Sequence, residues 1–252
     1  MPSLDASGDR AAEGEAVSLV LSLVPGIGLL DMAFELEGFT VVRGPDLLWG
    51  GDVKSFHPPA GRFDGVIGGP PCQAHSITQY VAKQRPAENL IPEFERCVLE
   101  AAPQWFVMEN VRPAPLPVVE GYTVFARLLN NRWLQDGDGA PEQNRLRRFS
   151  FGSLAGIDPW AYLEVALFEN PVKEYAVVGG HDSMNDHRQK QSGYQSTDPA
   201  KMARLQGLPE DFFAESPFTV HMQRRMLGNG VPLPMGRAVA KAVRRAARER
   251  AA

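Results

Sequence analysis

Residues 17–46 read VSLVLSLVPGIGLLDMAFELEGFTVVRGPD. The first eight form a continuous apolar run with branched valines, the pattern of a strand buried on both faces of a parallel sheet. PGIG (25–28) turns the chain. LLDMAFELEG (29–38) has helical spacing and stops at a glycine, and FTVVRGPD (39–46) is a second strand with an acid at its end. Strand, glycine turn, helix and strand make the opening of a nucleotide-binding βαβ unit. Its glycines let the backbone turn tightly against a ligand, and an acid 20 residues after Gly26, here Asp46, can accept bonds from ribose hydroxyls.

The spacing serves a nicotinamide dinucleotide and S-adenosylmethionine alike. The third glycine of the dinucleotide fingerprint is missing, because Gly28 is followed by Leu29, Leu30 and Asp31, which points away from a dehydrogenase. Asp52, in GGDV, either reaches the adenine end of such a ligand or is a turn residue. Further on, GVI (65–67) is a third strand, and GGPPCQ (68–73) places Cys72 just past its carboxyl end, where α/β proteins bind ligands. Two prolines fix φ and leave that loop few conformations to lose, which suits either a nucleophile or a tight turn. PEFERCVLEAA (92–102) is an amphipathic helix stopped by Pro103, with Cys97 on its apolar face and so expected in the core. QWFVMENV (104–111) gives a fourth strand that ends on Glu109, and a carboxylate there needs a partner or a task. Strands alternating with helices call for a parallel sheet covered on both sides.

Bulk composition narrows the class. The 252 residues are 44% hydrophobic and 22% charged, with a net charge of −4 and two cysteines. These values fit a globular protein in a reducing compartment, without a disulfide framework and not coating nucleic acid non-specifically. No stretch approaches a membrane span, and residues 1–16 are expected to be a disordered tail rather than a signal peptide.

QNRLRR (143–148) sets Gln143, Arg145 and Arg147 at every second position; if extended, they share a face suited to a phosphate or a base carbonyl. GNGVPLP (228–234) reads as a turn with Asn229 at its centre. Between them, from Gly152 to about Thr197, periodicity weakens, and the chain reads as a small loop-rich insertion. His181, Asp182, Asp186 and His187 lie there without a further ligand pair at metal spacing, so no metal is expected. MARLQGLPEDF (202–212) and MGRAVAKAVRRAARER (235–250) return to helical patterns.

In this order the pieces are specific. LVPGIG, GGPPCQ, MENV, QNRLRR, RLQGLPEDF and GNGVPLP resemble the successive motifs of the DNA cytosine-5 methyltransferase family, from about Val17 onwards. The resemblance implies a Rossmann-like S-adenosylmethionine-dependent methyltransferase fold, α/β, with a mixed, mostly parallel sheet flanked by helices. It implies a catalytic and cofactor-binding domain over 17–151, a small target-recognition region over 152–198, and a C-terminal part, 199–252, packing back onto the first. Cys72 would add to C6 of a cytosine flipped out of duplex DNA, and Glu109 would protonate or hydrogen-bond N3. Arg147 and Arg145 would hold the base carbonyl or a nearby phosphate. S-adenosylmethionine would donate the methyl group and leave as S-adenosylhomocysteine.

Cofactor contacts carried over from the family fall on Val24, Gly26, Gly28, Asp46, Asp52, Val53, Pro70, Leu90 and Asn229. DNA contacts fall on Pro71, Gln73, Ser76 and Gln143, and on His187, Arg188 and Lys190 within the polar stretch 181–195. Two departures stand out: Val24 replaces a phenylalanine that lies against the adenine, and His75 replaces another phenylalanine near the thiol. The short insertion implies a short or relaxed target sequence. Double-stranded DNA is the expected partner, with no membrane, no obligatory protein partner, a monomer as the default and a cytoplasmic setting by analogy. The alternatives are a transfer-RNA methyltransferase on the same fold, whose cysteine-containing signature is missing from 152–198, and an inactive DNA-binding relative.

Overall fold

The computed structural model describes residues 18–71, 88–134, 143–166, 174–177 and 198–251. Its centre is a six-stranded sheet. In chain order the elements are β1 (Leu19–Leu23), α1 (Leu29–Leu36), β2 (Thr40–Arg43), β3 (Gly65–Gly68), α2 (Ile91–Ala101), β4 (Trp105–Asn110), β5 (Thr123–Asn130), β6 (Gln143–Asn144) and β7 (Leu146–Ser153). There follow β8 (Glu174–Tyr175), α3 (Pro199–Leu205), α4 (Val220–Asn229) and α5 (Leu233–Ala251). The sheet order is β2-β1-β3-β4-β7-β5, and β6 pairs separately with β8. β2, β1, β3 and β4 run parallel, while β7 lies antiparallel between β4 and β5.

Alternation along the strands divides the core. Val20, Ile67, Trp105, Val107, Phe149 and Phe151 face one side, with Phe34 of α1 and Met235, Val239 and Val243 of α5. Leu21, Leu23, Val66, Phe106 and Met108 face the other side, with Phe94, Cys97 and Val98 of α2. A strand with both faces buried has no polar register, which is why these segments read as unbroken apolar runs. Each fully buried Leu or Phe contributes roughly 1.5–3 kcal/mol, so the two faces supply most of the driving force. A third cluster joins Leu29 to Met202, Leu205 and Leu227, seating α3 and α4 at one end of the sheet.

Helix ends follow local chemistry. α1 starts on Gly28 in the left-handed region (φ 80°) and stops at Gly38 (φ 87°), where Phe39 N–H donates to the Phe34 carbonyl. α2 carries Pro92 in its first turn and ends on a left-handed Ala102 before Pro103. The expected boundary between residues 151 and 152 falls inside β7. Beyond β7, Trp160 and Leu163 pack against the first core face, and Trp160 Nε1 donates to the Phe125 carbonyl. This stretch belongs to the main body because its aromatic and aliphatic side chains find their burial there. Among the described residues no helix is long and apolar enough to cross a membrane.

Candidate active site

The carboxyl ends of β1, β3 and β4 lie side by side, and the turns that leave them wall a cavity of about 700 Å³. The β1 turn carries the glycines. Gly26 has φ 60°, and a Cβ built on it would meet nothing within 4 Å, so its face is open. Its peptide is fastened on both sides: the N–H donates to Asp46 Oδ2 (2.8 Å) and the carbonyl accepts from Trp49 Nε1 (2.8 Å). Val24, on the same wall, has φ 54°, a strained conformation for a β-branched residue. Behind it Asp31 is fully buried, accepting from Ser22 Oγ (2.5 Å) and pairing with Arg43 Nε (3.1 Å). Burial raises its pKa above the ordinary carboxylate range despite both partners.

A second wall comes from the turn at 52–56. Asp52 caps it by accepting from Lys54 N–H (3.0 Å), and Val53 is buried beneath. Arg96 of α2 holds this turn in place, donating to the Val53 carbonyl (2.8 Å) and the Phe56 carbonyl (3.0 Å) while pairing with Glu93 and Glu100. Leu90 completes this side, and Lys54 pairs with Glu88 at 2.5 Å.

The third wall bears the chemistry. A Cβ on Gly68 would meet the Leu23 carbonyl at 2.7 Å, so only glycine lets the chain leave β3 at this point. Asn110 then donates to the Pro70 carbonyl (3.2 Å) and fixes the proline loop to the end of β4. Glu109, on that strand, is almost wholly buried, and its Oε1 lies 3.0 Å from Arg147 Nε. Burial raises the Glu109 pKa; the neighbouring charges of Arg147 and Arg145 pull against it without cancelling it. By contrast Cys97 is buried on α2, and burial pushes its thiol up to about 11, which suits a core residue and not a nucleophile.

Of the residues expected at the cofactor, Val24, Gly26, Asp46, Asp52, Val53, Pro70, Leu90 and Asn229 line this single cavity, with Pro71, Glu109, Arg145 and Arg147. Three expectations need correction. Gly28 is not on the wall; the Arg43 guanidinium covers it, 2.8 Å from where a Cβ would stand, and its task is to start α1. Gln143 does not face outward. It is fully buried, donating to the Leu205 carbonyl (2.7 Å) and accepting from Val177 N–H (3.0 Å). Arg145 falls in a break between β6 and β7, so it does not share an extended face with Arg147. Its guanidinium donates to the carbonyls of Val177 (2.5 Å), Gly228 (2.9 Å) and Gly230 (3.0 Å). Both side chains satisfy buried backbone groups where three segments meet. Cys72, Gln73, Ser76, His187, Arg188 and Lys190 lie outside the described residues.

Several residues that line or brace the site escaped the sequence reading. Asn110 was quoted within MENV without a role, and Asp31 only as a break in the glycine pattern. Met222 also lines the cavity and belongs to no recognised motif, while Arg225, beside it, lies in QRRM (223–226), a basic run whose sequence suits either a cleft or a solvated face.

The family model for C-5 cytosine-specific DNA methylase matches residues 51–114 and 127–245. Type II methyltransferase M.AquIA of a Picosynechococcus species is 50% identical over 119 residues, covering 37% of this chain and 48% of that protein. M.FnuDI of Fusobacterium nucleatum is 28% identical over 141 residues, covering 44% of this chain and 41% of its own length. The matched stretches thus span less than half of these curated relatives. Among solved structures, a candidate DNA modification methyltransferase from an E. coli prophage superposes with a TM-score of 0.61 at 16% identity, covering 92% of this chain and all of the other. The S. pombe Dnmt2 methyltransferase gives 0.57 at 15% identity, covering 92% and 98%. At such identities the likeness is one of fold, a Rossmann-like methyltransferase sheet. With the family model matching well over half of its residues, the chain belongs to the C-5 cytosine-specific DNA methylase family.

Proposed function

We propose that the protein transfers a methyl group from S-adenosylmethionine to C5 of cytosine in duplex DNA through a covalent bond from Cys72 to C6. One observation carries the reading. A single cavity is walled by the open glycine turn, by the prolines that lead into Cys72, and by a buried carboxyl paired to an arginine.

The wall fits the cofactor. Gly26 presents an open face, where even a Cβ would meet nothing within 4 Å, and Asp46 and Asp52 offer carboxylates with lone pairs beyond those their own turns use. Val24, Pro70, Leu90 and Asn229 would enclose the rest. When bound, S-adenosylmethionine supplies an electrophilic methyl group on a sulfonium.

The chain's residues would act in sequence. The Cys72 thiolate adds to C6 and leaves the ring electron-rich at C5. Glu109, held above the ordinary carboxylate range, carries the proton that N3 takes up as Cys72 adds, so negative charge does not accumulate on the ring. Arg147 keeps Glu109 oriented and would share a base oxygen with it. Asn110 holds the Pro70 carbonyl against the end of β4, beside the carboxyl. C5 would take the methyl group as S-adenosylhomocysteine leaves; a base then removes the C5 proton, the electrons of that bond expel Cys72, and N3 returns its proton to Glu109 to give neutral 5-methylcytosine.

A covalent trap tests this. The protein is incubated with S-adenosylmethionine and duplex DNA carrying 5-fluorocytosine, where fluorine blocks the elimination. An adduct one methyl heavier, lost in Cys72→Ala, is expected by mass. An adduct on fluorinated RNA alone would replace DNA by RNA as the substrate. Absence of any adduct, with cofactor bound, would refute the activity.

A further inference from the structure

Among the described residues the cavity wall is rich in carboxyls and short of available cations. Asp31, Asp46, Asp52, Glu88 and Glu109 line it. Of the basic groups on the wall, Lys54 is paired with Glu88, Arg147 with Glu109, and Arg145 is spent on three backbone carbonyls. Arg225 is different. It is exposed at the mouth and makes no hydrogen bond or ion pair among the described residues.

Its platform is firm. Met222, Arg225, Met226 and Asn229 follow one another at helical spacing along α4, and all four line the cavity. Thr219 Oγ1 caps the helix at Met222 N–H, and Gln223 Nε2 donates to the Phe218 carbonyl (2.9 Å). At the other end Gln206 Nε2 donates to the Leu227 carbonyl, and Arg145 holds Gly228 and Gly230. Arg225 therefore stands one turn before Asn229 on a helix anchored at both ends.

Resting on the cofactor reading above, the geometry points to Arg225 as the residue that holds the carboxylate of the cofactor's amino-acid portion. The ribose hydroxyls, the ammonium and the sulfonium of such a ligand all suit an acidic wall. Its carboxylate does not, and it needs a cation whose donors are not already engaged. A guanidinium offers two parallel N–H groups to a carboxylate, a match that a lysine makes only as a point charge.

Calorimetric titration of two ligands decides the matter. S-adenosylhomocysteine carries the carboxylate; its decarboxylated analogue lacks it and keeps everything else that the wall would read. In Arg225→Gln, binding of S-adenosylhomocysteine is expected to weaken about tenfold, as for a lost charge-assisted bond. Binding of the decarboxylated ligand should stay within about twofold, and Arg225→Lys should recover part of the loss. Equal weakening of both ligands, or of neither, overturns the assignment. So does unchanged cofactor affinity with a weaker, less salt-dependent grip on DNA, which would make Arg225 a phosphate contact. A wild-type protein that binds neither ligand would refute the cofactor reading itself, a result distinct from any of these.

Discussion

Burial raises the Glu109 carboxyl, and Arg147, 3.0 Å away, offsets only part of that rise. The linkage follows from this direction. A carboxyl whose folded pKa lies above its unfolded value favours the native state while protonated; that contribution is complete below the unfolded pKa and is lost as pH rises through the folded one. Arg147→Met removes the compensating charge and moves the folded pKa further up, so its penalty belongs to the ionised form. Urea unfolding should show Arg147→Met close to wild type near pH 4.5 and about 3 kcal/mol less stable at pH 8, the low end for breaking a buried pair whose mouth is open to the cavity. A loss of the same size at both pH values would mean that Arg147 stabilises by packing and not by charge. Neighbouring residues show how much the sequence could reveal. Glu109 was legible because a carboxyl at the end of an apolar strand is chemically conspicuous. Asn110, which fixes the proline loop, is an ordinary polar residue whose role exists only once Pro70 lies across from it. The buried fates of Gln143 and Arg145 were hidden for the same reason, since their partners lie more than 30 residues away along the chain.

Strands and helices were legible to the degree that one face or both are buried. β1, β3 and β4 are buried on both faces and appear as apolar runs. β5 (TVFARLLN) lies at the sheet edge with exposed positions along it, and β7 (LRRFSFGS) carries two arginines directly after its first residue, so neither shows a clean strand pattern. α4 (VHMQRRMLGN) is polar over much of its length, and its last residues read only as a turn before its neighbours are known. Yet β7 decides the site's geometry. It lies antiparallel to β4 with Phe149 opposite Glu109 and Gly152 opposite Phe106. A Cβ on Gly152 would stand 2.0 Å from the Phe106 ring, so this strand approaches β4 only because the residue is glycine. Gly152→Ala is therefore expected to cost ~3 kcal/mol, the upper part of the range for overpacking. Adding Phe106→Leu should return a good part of that loss, because the two changes share one contact and cannot be additive. Losses that simply sum in chemical denaturation would show that the strand pair has room to spare.

At the scale of the whole molecule, the two ends of the described chain share one core. α5 packs on α1 against Val20, Phe34 and Ile67 through Met235, Val239 and Val243, and Arg237 pairs with Glu37 while Arg244 donates to the Glu37 carbonyl. Gly236 permits the close approach, since a Cβ there would stand 2.6 Å from that of Ala33. The cavity inherits this arrangement. Its glycine turn precedes α1, and its Asn229 wall precedes α5, so neither wall can shift without the core between them. Such a body should unfold in one cooperative step. A ligand filling the cavity should move that step as a whole. With S-adenosylhomocysteine at about 100 times its Kd, mass action adds about 2.7 kcal/mol, which for a chain of this size is a rise in Tm of roughly 5–10 °C. Scanning calorimetry should then show one transition with and without ligand, displaced upward by that amount. Two transitions, of which the ligand moves only one, would make the C-terminal helices a separately folding unit and would break the link drawn between the shared core and the cavity.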